Sequence, residues 1–445
     1  MSRSEPTPAP APPAPGADGR RVPLLMLRRG EGLPVALGGL YFFLVMCAYY
    51  LLRGYRDALG IEHGVERLPW YFTATLAATL LVNPLYWWLV SRLPRRRFIP
   101  LTHGLFAASF LAFGAGLETL PEPARSWLGP AFYVWLSVFV LFAVSVVWAV
   151  MADVFASEPS RRVFGLIAMG GTLGAIAGSA LAAGWAERIG PAGLLAAAAG
   201  LLALGAVPAA WLLRVAPAAG GRVRAGEPSP RVLEGLRLLE RVPVLRGVAL
   251  YLLLFTVTGT FLFVAQQGVI AAAYTDVARR TAFLARVDLG VNLLTLVLQV
   301  CATGHILRRL GLAVALAVVP AITLVAFLIV GATGALALPA LVVVPLLYAL
   351  RRAAHYAVDR PGREALFTLL GPDARYKSKS FVDTFVYRAG DQVGVWAAAG
   401  LAGTALGVWP VGLALAMGAA VLGVWLGGRA ERAGRGPGGA AAAML

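Results

Sequence analysis

Long uncharged stretches dominate the chain. Ten runs of 19 or more residues contain no Asp, Glu, Lys or Arg: 33–52, 68–91, 98–117, 126–152, 163–186, 189–213, 247–275, 289–307, 310–350 and 392–428. A helix needs roughly 20 apolar residues to cross a hydrocarbon core, so each run can span a membrane once. The 41-residue run 310–350 is too long for one crossing and folds back near Gly331-Ala-Thr-Gly-Ala335. The run 392–428 serves two helices, because the helix entering it starts near Tyr376 and carries charges in its first half. The pattern predicts an all-α integral membrane protein of twelve transmembrane helices. It lacks the period-two alternation of a membrane β-barrel.

The polar segments divide this array. Residues 1–32, rich in Pro, Ala and Gly and beginning Ser4-Glu-Pro-Thr-Pro-Ala-Pro, have no apolar core followed by a cleavage site. A disordered cytoplasmic N-terminal tail is expected there rather than a signal peptide. The longest polar stretch between spans, 215–243, carries Arg222, Arg224, Arg231, Arg237 and Arg241 and leaves six spans on each side. It is read as a cytoplasmic linker between a bundle over 33–214 and one over 244–428, with a short surface helix near 234–239. Residues 429–445 form a C-terminal tail. Placing both termini in the cytoplasm puts 28 Lys and Arg on inside segments and seven outside, the asymmetry that orients membrane helices.

Composition narrows the function. The chain is 59% hydrophobic and 14% charged, with a mean hydropathy of +0.74. Soluble domains carry about 25% charged residues, so soluble enzymes, secreted disulfide scaffolds and disordered proteins are excluded. A net charge of +17 would indicate nucleic acid in a soluble protein. Here it reflects arginine-loaded cytoplasmic loops, and no nucleic-acid partner is expected. Lys occurs only at Lys377 and Lys379, a bias of genomic rather than chemical origin. Cys47 and Cys301 lie in apolar runs and read as core fillers. The four histidines, His63, His103, His305 and His355, lack metal-ligand spacing, and neither a Gly-x-Ser-x-Gly elbow nor a Walker loop occurs. No enzyme activity, cofactor or metal is expected.

Polarity varies from span to span. Spans 6, 9 and 12 have no ionisable residue and span 3 has only His103, whereas spans 1, 4, 8, 10 and 11 carry charges. Gly170, Gly174 and Gly178 in span 5, and Gly390 and Gly394 in span 11, repeat every four residues, a spacing that packs helices closely. The charges concentrate late in the chain: Arg286, Asp288 and Asn292 in span 8, Arg351, Arg352, His355 and Tyr356 in span 10, and Asp383, Arg388 and Asp391 in span 11. At 1.5 Å per residue, Asp288, Arg351 and Arg388 lie roughly 12–18 Å from their helix ends. Each charge facing lipid would cost at least about 2.5–3.5 kcal/mol, so these residues line a polar cavity or pair with one another. Arg388 is expected to pair with Asp288 or Asp391. Arg286, Arg351, Arg352 and Arg388 against Asp288 and Asp391 leave positive charge for an anionic ligand, whose oxygens suit the guanidinium fork. Arg53, Arg56 and Asp57, at the outer end of span 1, read either as a snorkelling cap or as the lip of the cavity. Gln266 and Gln267 in span 7 could bond a solute or another helix.

Two turns support a six-plus-six repeat. Leu89-Val-Ser-Arg-Leu-Pro-Arg-Arg-Arg97 follows span 2 and Gly304-His-Ile-Leu-Arg-Arg-Leu-Gly311 follows span 8. Both resemble the G-x-x-x-D-R-x-G turn of major facilitators, with Ser91 and Arg308 in its acidic slot. Three further stretches are Tyr49-Tyr-Leu-Leu-Arg-Gly-Tyr-Arg-Asp-Ala-Leu59, Pro361-Gly-Arg-Glu-Ala-Leu-Phe367 and Arg375-Tyr-Lys-Ser-Lys-Ser-Phe-Val-Asp-Thr-Phe-Val-Tyr-Arg-Ala-Gly390. They resemble the nucleotide (ATP/ADP antiporter) family, a branch of the major facilitators, in the form of a bacterial relative. The resemblance implies two pseudo-symmetric six-helix halves and an inner-membrane location. It places Arg56-Asp57 at the family's span-1 basic-Asp pair, Glu364 at its turn glutamate, and Lys377, Lys379 and Asp383 at the start of span 11. Arg56 replaces the usual Lys, and Tyr387-Arg-Ala-Gly-Asp391 replaces the family's small, Lys-containing run.

The expected function is secondary active transport, by alternating access, of an anionic solute such as a nucleotide or another phosphorylated molecule. The expected site comprises Arg53, Arg56, Asp57, Asp288, Asn292, Arg351, Arg352, His355, Arg388 and Asp391. The expected partners are that solute and membrane lipids, around a monomer. A major facilitator exporting drug-like or lipid molecules, and a non-transporting membrane scaffold or sensor, remain alternatives. A membrane enzyme finds no nucleophile or metal site in the sequence. The topology is checked by inserting a protease site near Gly220. Cleavage is expected in inside-out vesicles and protection in intact cells, and the reverse result inverts the orientation.

Overall fold

The computed structural model describes residues 31–155, 163–215, 242–333, 336–368, 382–404 and 407–435. Among these residues the chain is helical with no strand. The helices in chain order are α1 (Gly32–Gly60), α2 (Leu68–Arg92), α3 (Arg95–Thr119) and α4 (Leu128–Val154). The segment Phe164–Val215 holds two, α5 (164–189) and α6 (191–215), because Gly190 adopts φ +66 and breaks the ladder. The second half comprises α7 (Pro243–Ala273), α8 (Val277–Leu298), α9 (Gly311–Ala332), α10 (Ala340–Ala354), α11 (Tyr387–Leu401) and α12 (Val408–Arg435). Helix α10 continues through a π-helical turn, His355–Asp359, into Arg360–Thr368. Further π-helical turns follow α8 (Gln299–Thr303 and Ile306–Leu310) and precede α11 (Val382–Val386). The fold-back predicted near residues 331–335 falls between α9 and α10. The expected tails, most of the 215–243 linker, the helix near 234–239, and Lys377 and Lys379 lie outside the described residues.

One element differs from its uncharged run. The run 33–52 ends at Arg53, yet α1 continues to Gly60. Asp57 inside this extension is buried, and Arg53 and Arg56 are part-buried. Charge therefore did not end the helix, because these side chains point into protein rather than into lipid.

Lipid offers no hydrophobic drive for helices to associate, so packing depends on close approach of backbones. The α1–α5 contact shows this. A Cβ added at Gly170, Gly174 or Gly178 would collide with the backbone of Gly39, Phe43 or Cys47 of α1. The two helices thus share an i, i+4 stripe along their length. Around it, Phe106, Phe110, Phe132, Phe139 and Phe142 of α3 and α4 fill the first core. The other half packs around Tyr251, Phe255, Leu316 and Val319.

The turn before α9 has a different constraint. Gly311 sits at φ +86, a region L side chains avoid. The Glu431 carboxylate of α12 accepts from the backbone N–H of Leu312 (2.6 Å) and Ala313 (3.1 Å). It caps the start of α9 and leaves no room for a side chain at Gly311.

The stripe is tested by two substitutions. Gly174→Ala places a methyl against the Phe43 carbonyl, which cannot rotate away, and overpacking of this kind costs about 1–3 kcal/mol. A lower melting temperature of the purified protein is expected. Gly184→Ala, where nothing lies within 4 Å of the added Cβ, should be neutral or slightly stabilising. Equal effects at both positions would remove the close-packing argument.

Candidate functional site

Six helices converge on a cavity of about 240 Å³ between the halves. Helices α1, α2 and α4 line it from one half, and α7, α10 with its π-turn, and α11 from the other. None of α3, α6, α9 or α12 contributes to its wall. All four are spans without Asp, Glu, Lys or Arg in their apolar runs, a property that α2 and α7 in the wall share.

Arginine dominates the wall: Arg53, Arg56, Arg351, Arg352 and Arg388 all line it, with Asp391 the one lining carboxylate among the described residues. Asp57 and Asp288 lie immediately behind. The Asp288 Oδ1 atom accepts from Arg352 Nη1 at 2.6 Å and lies 3.1 Å from Arg53 Nη1. One oxygen of α8 thereby joins α1 to α10, across the boundary between the halves. Among the described residues, Arg53 Nε and a second Arg352 nitrogen, Nη2, are buried without a hydrogen-bond partner. Arg56 donates twice to Asp57 Oδ1, at 2.9 and 2.6 Å, and once to Ser137 Oγ at 3.4 Å, over the Tyr133 ring.

Arg351 has no carboxylate partner among the described residues. It is 4% exposed. Its Nε donates to Thr323 Oγ1 at 3.0 Å and its Nη2 to the Phe255 carbonyl at 2.5 Å, and the guanidinium lies 4.4 Å from the Phe255 ring centroid. Aromatic side chains occupy much of the remaining wall: Phe72, Tyr133, Phe263, Tyr348, Tyr356 and Tyr387.

His355 also lines the cavity, with its ring 4.6 Å from that of Phe255. Its Nδ1 is 3.0 Å from Asp359 Oδ2, which also accepts from Arg363 Nε at 3.1 Å. The other Asp359 oxygen accepts from the Tyr251 hydroxyl at 2.5 Å. Asp359 is fully buried, and three donors satisfy it. The sequence reading passed over Asp359. The available signal was its position four residues from both His355 and Arg363 on one helix.

Several sequence expectations are corrected. Arg388 forms an ion pair with neither Asp288 nor Asp391. Arg53 and Arg352 already occupy Asp288, and Arg388 lines the cavity as an exposed side chain. Arg286 does not add to the central charge; it faces outward and meets Glu187 at 3.6 Å. Asn292 does not line the cavity but donates to Ser179 Oγ at 3.3 Å, tying α8 to α5. Arg53 and Arg56 belong to the cavity and not to a snorkelling cap. Gln266 and Gln267 are buried outside the cavity wall. Glu364 lies in the helix after the π-turn of α10, away from the cavity wall, and Asp383 belongs to the π-turn before α11.

The halves also meet at the end away from the N-terminus of α1. Trp70 packs on Trp396 and Phe72 on Phe263. Thr73 bonds Gln392 and accepts from Trp396. Arg280 reaches the Ile61 carbonyl. These contacts, with the Asp288 bridge and the Asn292–Ser179 bond, join the halves from mid-depth to this end.

This arrangement, two six-helix halves around one polar cavity, is matched by a family profile. The profile described as Major Facilitator Superfamily covers residues 25–357. The chain belongs to the major facilitator superfamily. Solved structures share the fold. A bacterial homologue of the iron transporter ferroportin in an inward-facing state is 16% identical, with 89% of this chain and 98% of that one covered and a TM-score of 0.63. The nucleoside transporter NupG is 13% identical over 90% and 98%, with a TM-score of 0.58. A bacterial homologue of the human lysosomal transporter Spinster, inward-facing and unoccupied, is 15% identical over 90% and 96%, with a TM-score of 0.54. No curated protein matches the chain.

The Asp288 bridge is open to direct test. Removing one partner of a buried ion pair typically costs about 3–5 kcal/mol, so Asp288→Asn should lower the melting temperature markedly by leaving Arg53 and Arg352 unbalanced. Adding Arg53→Gln should recover part of the loss. A single variant as stable as the parent would show that the bridge contributes nothing.

Proposed function

We propose that this major facilitator is a secondary active transporter of an anionic, phosphate-bearing solute. The observation that carries the reading is the charge balance of the cavity. Five guanidinium groups from α1, α10 and α11 face it, against the carboxylates of Asp57, Asp288 and Asp391. Among the described residues the net excess of two positive charges matches a phosphate group, and Arg351, which has no carboxylate partner there, offers it a guanidinium beside those of Arg53 and Arg352. The aromatic wall suits a solute that also carries a ring, so nucleotides lead the candidates within this class. The resemblance to the ATP/ADP antiporters and the shared fold with a nucleoside transporter agree with that choice, and the former also favours exchange as the transport mode.

The same geometry supplies a coupling. An anion entering the cavity competes with Asp288 for Arg53 and Arg352, which lie on opposite halves. Its binding replaces the inter-half bridge by bonds to the solute, and the halves then rock about it. With both termini in the cytoplasm of a bacterial inner membrane, the described arrangement is the inward-facing one. Site roles follow: Arg53, Arg351 and Arg352 hold the anion, Arg56 and Arg388 add positive potential, Asp288 releases its partners, and Asp391 and His355 line the approach.

Equilibrium binding to the purified protein tests this with nucleotides, sugar phosphates and dicarboxylates set against neutral and cationic solutes. Losing one charge-assisted bond costs about 1.5–3 kcal/mol, roughly 10- to 150-fold in affinity. Arg351→Gln or Arg352→Gln should weaken anion binding by that factor in folded protein, and Lys should restore only part, since it lacks the bidentate fork. Undiminished transport by the double Gln variant, or a best ligand that is neutral or cationic, overturns the proposal.

A further inference from the structure

A second cavity, of about 180 Å³, lies far from the first, between α3 and α6. Among the described residues its wall comprises Arg96, Ile99 and Pro100 of α3, and Ala210, Leu213 and Arg214 of α6. Arg96 is the second residue of α3 and Arg214 the last but one of α6. The two guanidinium groups therefore stand at the same edge of the bundle, the one bearing the N-terminus of α1. Both are exposed, and among the described residues neither has a hydrogen-bond or ion-pair partner. Between them the wall is apolar.

The surroundings say which phase this cavity opens to. Leu101 (52% exposed), Val207 (59%) and Trp211 (49%) flank it on the outer surface of the same two helices. In a membrane protein such side chains face acyl chains, and Trp concentrates at the level of the headgroups. The site is thus a notch at the lipid boundary, basic at its rim and apolar beneath. Basic pockets between transmembrane helices hold lipid headgroups, and the arginine fork matches phosphate oxygens. A soluble anion would find the rim charges but no use for the apolar floor. A lipid phosphodiester uses both, with its phosphate between Arg96 and Arg214 and its glycerol and first methylenes over Ile99, Pro100 and Leu213.

We propose that the α3–α6 notch binds the phosphate of an anionic glycerophospholipid through Arg96 and Arg214. The lipid fastens together two helices that take no part in the solute cavity.

Native mass spectrometry of the purified protein, titrated with phosphatidylglycerol, phosphatidylcholine or inorganic phosphate, tests the assignment. Phosphatidylglycerol should bind and phosphatidylcholine should bind far more weakly. Arg96→Gln with Arg214→Gln should weaken phosphatidylglycerol binding at least about tenfold, the loss expected for a charge-assisted bond. Arg308→Gln with Arg309→Gln, at the basic turn of the other half, should leave it unchanged. Equal affinity in the Arg96/Arg214 variant, equal binding of phosphatidylcholine, or displacement of the lipid by an equal concentration of inorganic phosphate each overturns the proposal. The last outcome would reassign the notch to free phosphate. Should the double variant fail to fold, a photoactivatable phosphatidylglycerol on the parent protein decides. Cross-links are expected within 96–101 and 207–214, and cross-links confined to other segments refute the site.

Discussion

The centre of this protein depends on one buried carboxylate shared by two guanidinium groups. Asp288 of α8 accepts from Arg352 of α10 and pairs with Arg53 of α1 through a single oxygen. In a low-dielectric interior an unbalanced charge costs several kcal/mol, so the positions of these three helices are not independent. The bridge also lies on the boundary between the two halves, and a rearrangement of the halves must therefore remake it. Close by, Asp359 is satisfied by Tyr251, His355 and Arg363 within one half. That network ties the π-turn of α10 to α7 within the second half.

Lipid sorts the remaining helices. A helix whose faces all carry apolar side chains can sit at the periphery, and α6, α9 and α12 do. A helix carrying charge at mid-depth must turn that face inward, which brings α1, α10 and α11 to the cavity. Close backbone contact does the work that hydrophobic burial does in water. The glycine stripe of α5 against α1 and the seat of Glu431 at Gly311 are two of the places where a side chain would hold helices apart. The same sorting makes the rims of α3 and α6 distinctive, because Arg96 and Arg214 stand where headgroups rather than acyl chains meet the protein.

The number of helices, the fold class and the neutrality of the peripheral spans were all legible in the sequence, because the cost of polar groups in hydrocarbon acts on each segment separately. Run lengths report it directly. The identity of the charged helices was legible for the same reason, and so was the arginine excess, since composition needs no geometry. Charge runs misplaced the end of α1: an uncharged stretch shows what lipid tolerates, whereas Arg53, Arg56 and Asp57 continue the helix where protein surrounds them.

Tertiary structure alone decided the pairings. Depth along a helix was estimated well enough to bring Asp288, Arg351 and Arg388 to one level, but partner choice depends on the rotation of each helix and on which helices are neighbours. Those quantities arise from contacts between residues hundreds of positions apart. Hence Arg53 rather than Arg388 shares Asp288, Arg286 turns away to Glu187, and Asn292 bonds Ser179 instead of facing the cavity. The sequence by itself determined that buried positive charge had to be accommodated; the packing of α8 against α1 and α10 determined which carboxylate balances it and which arginines are left facing the cavity.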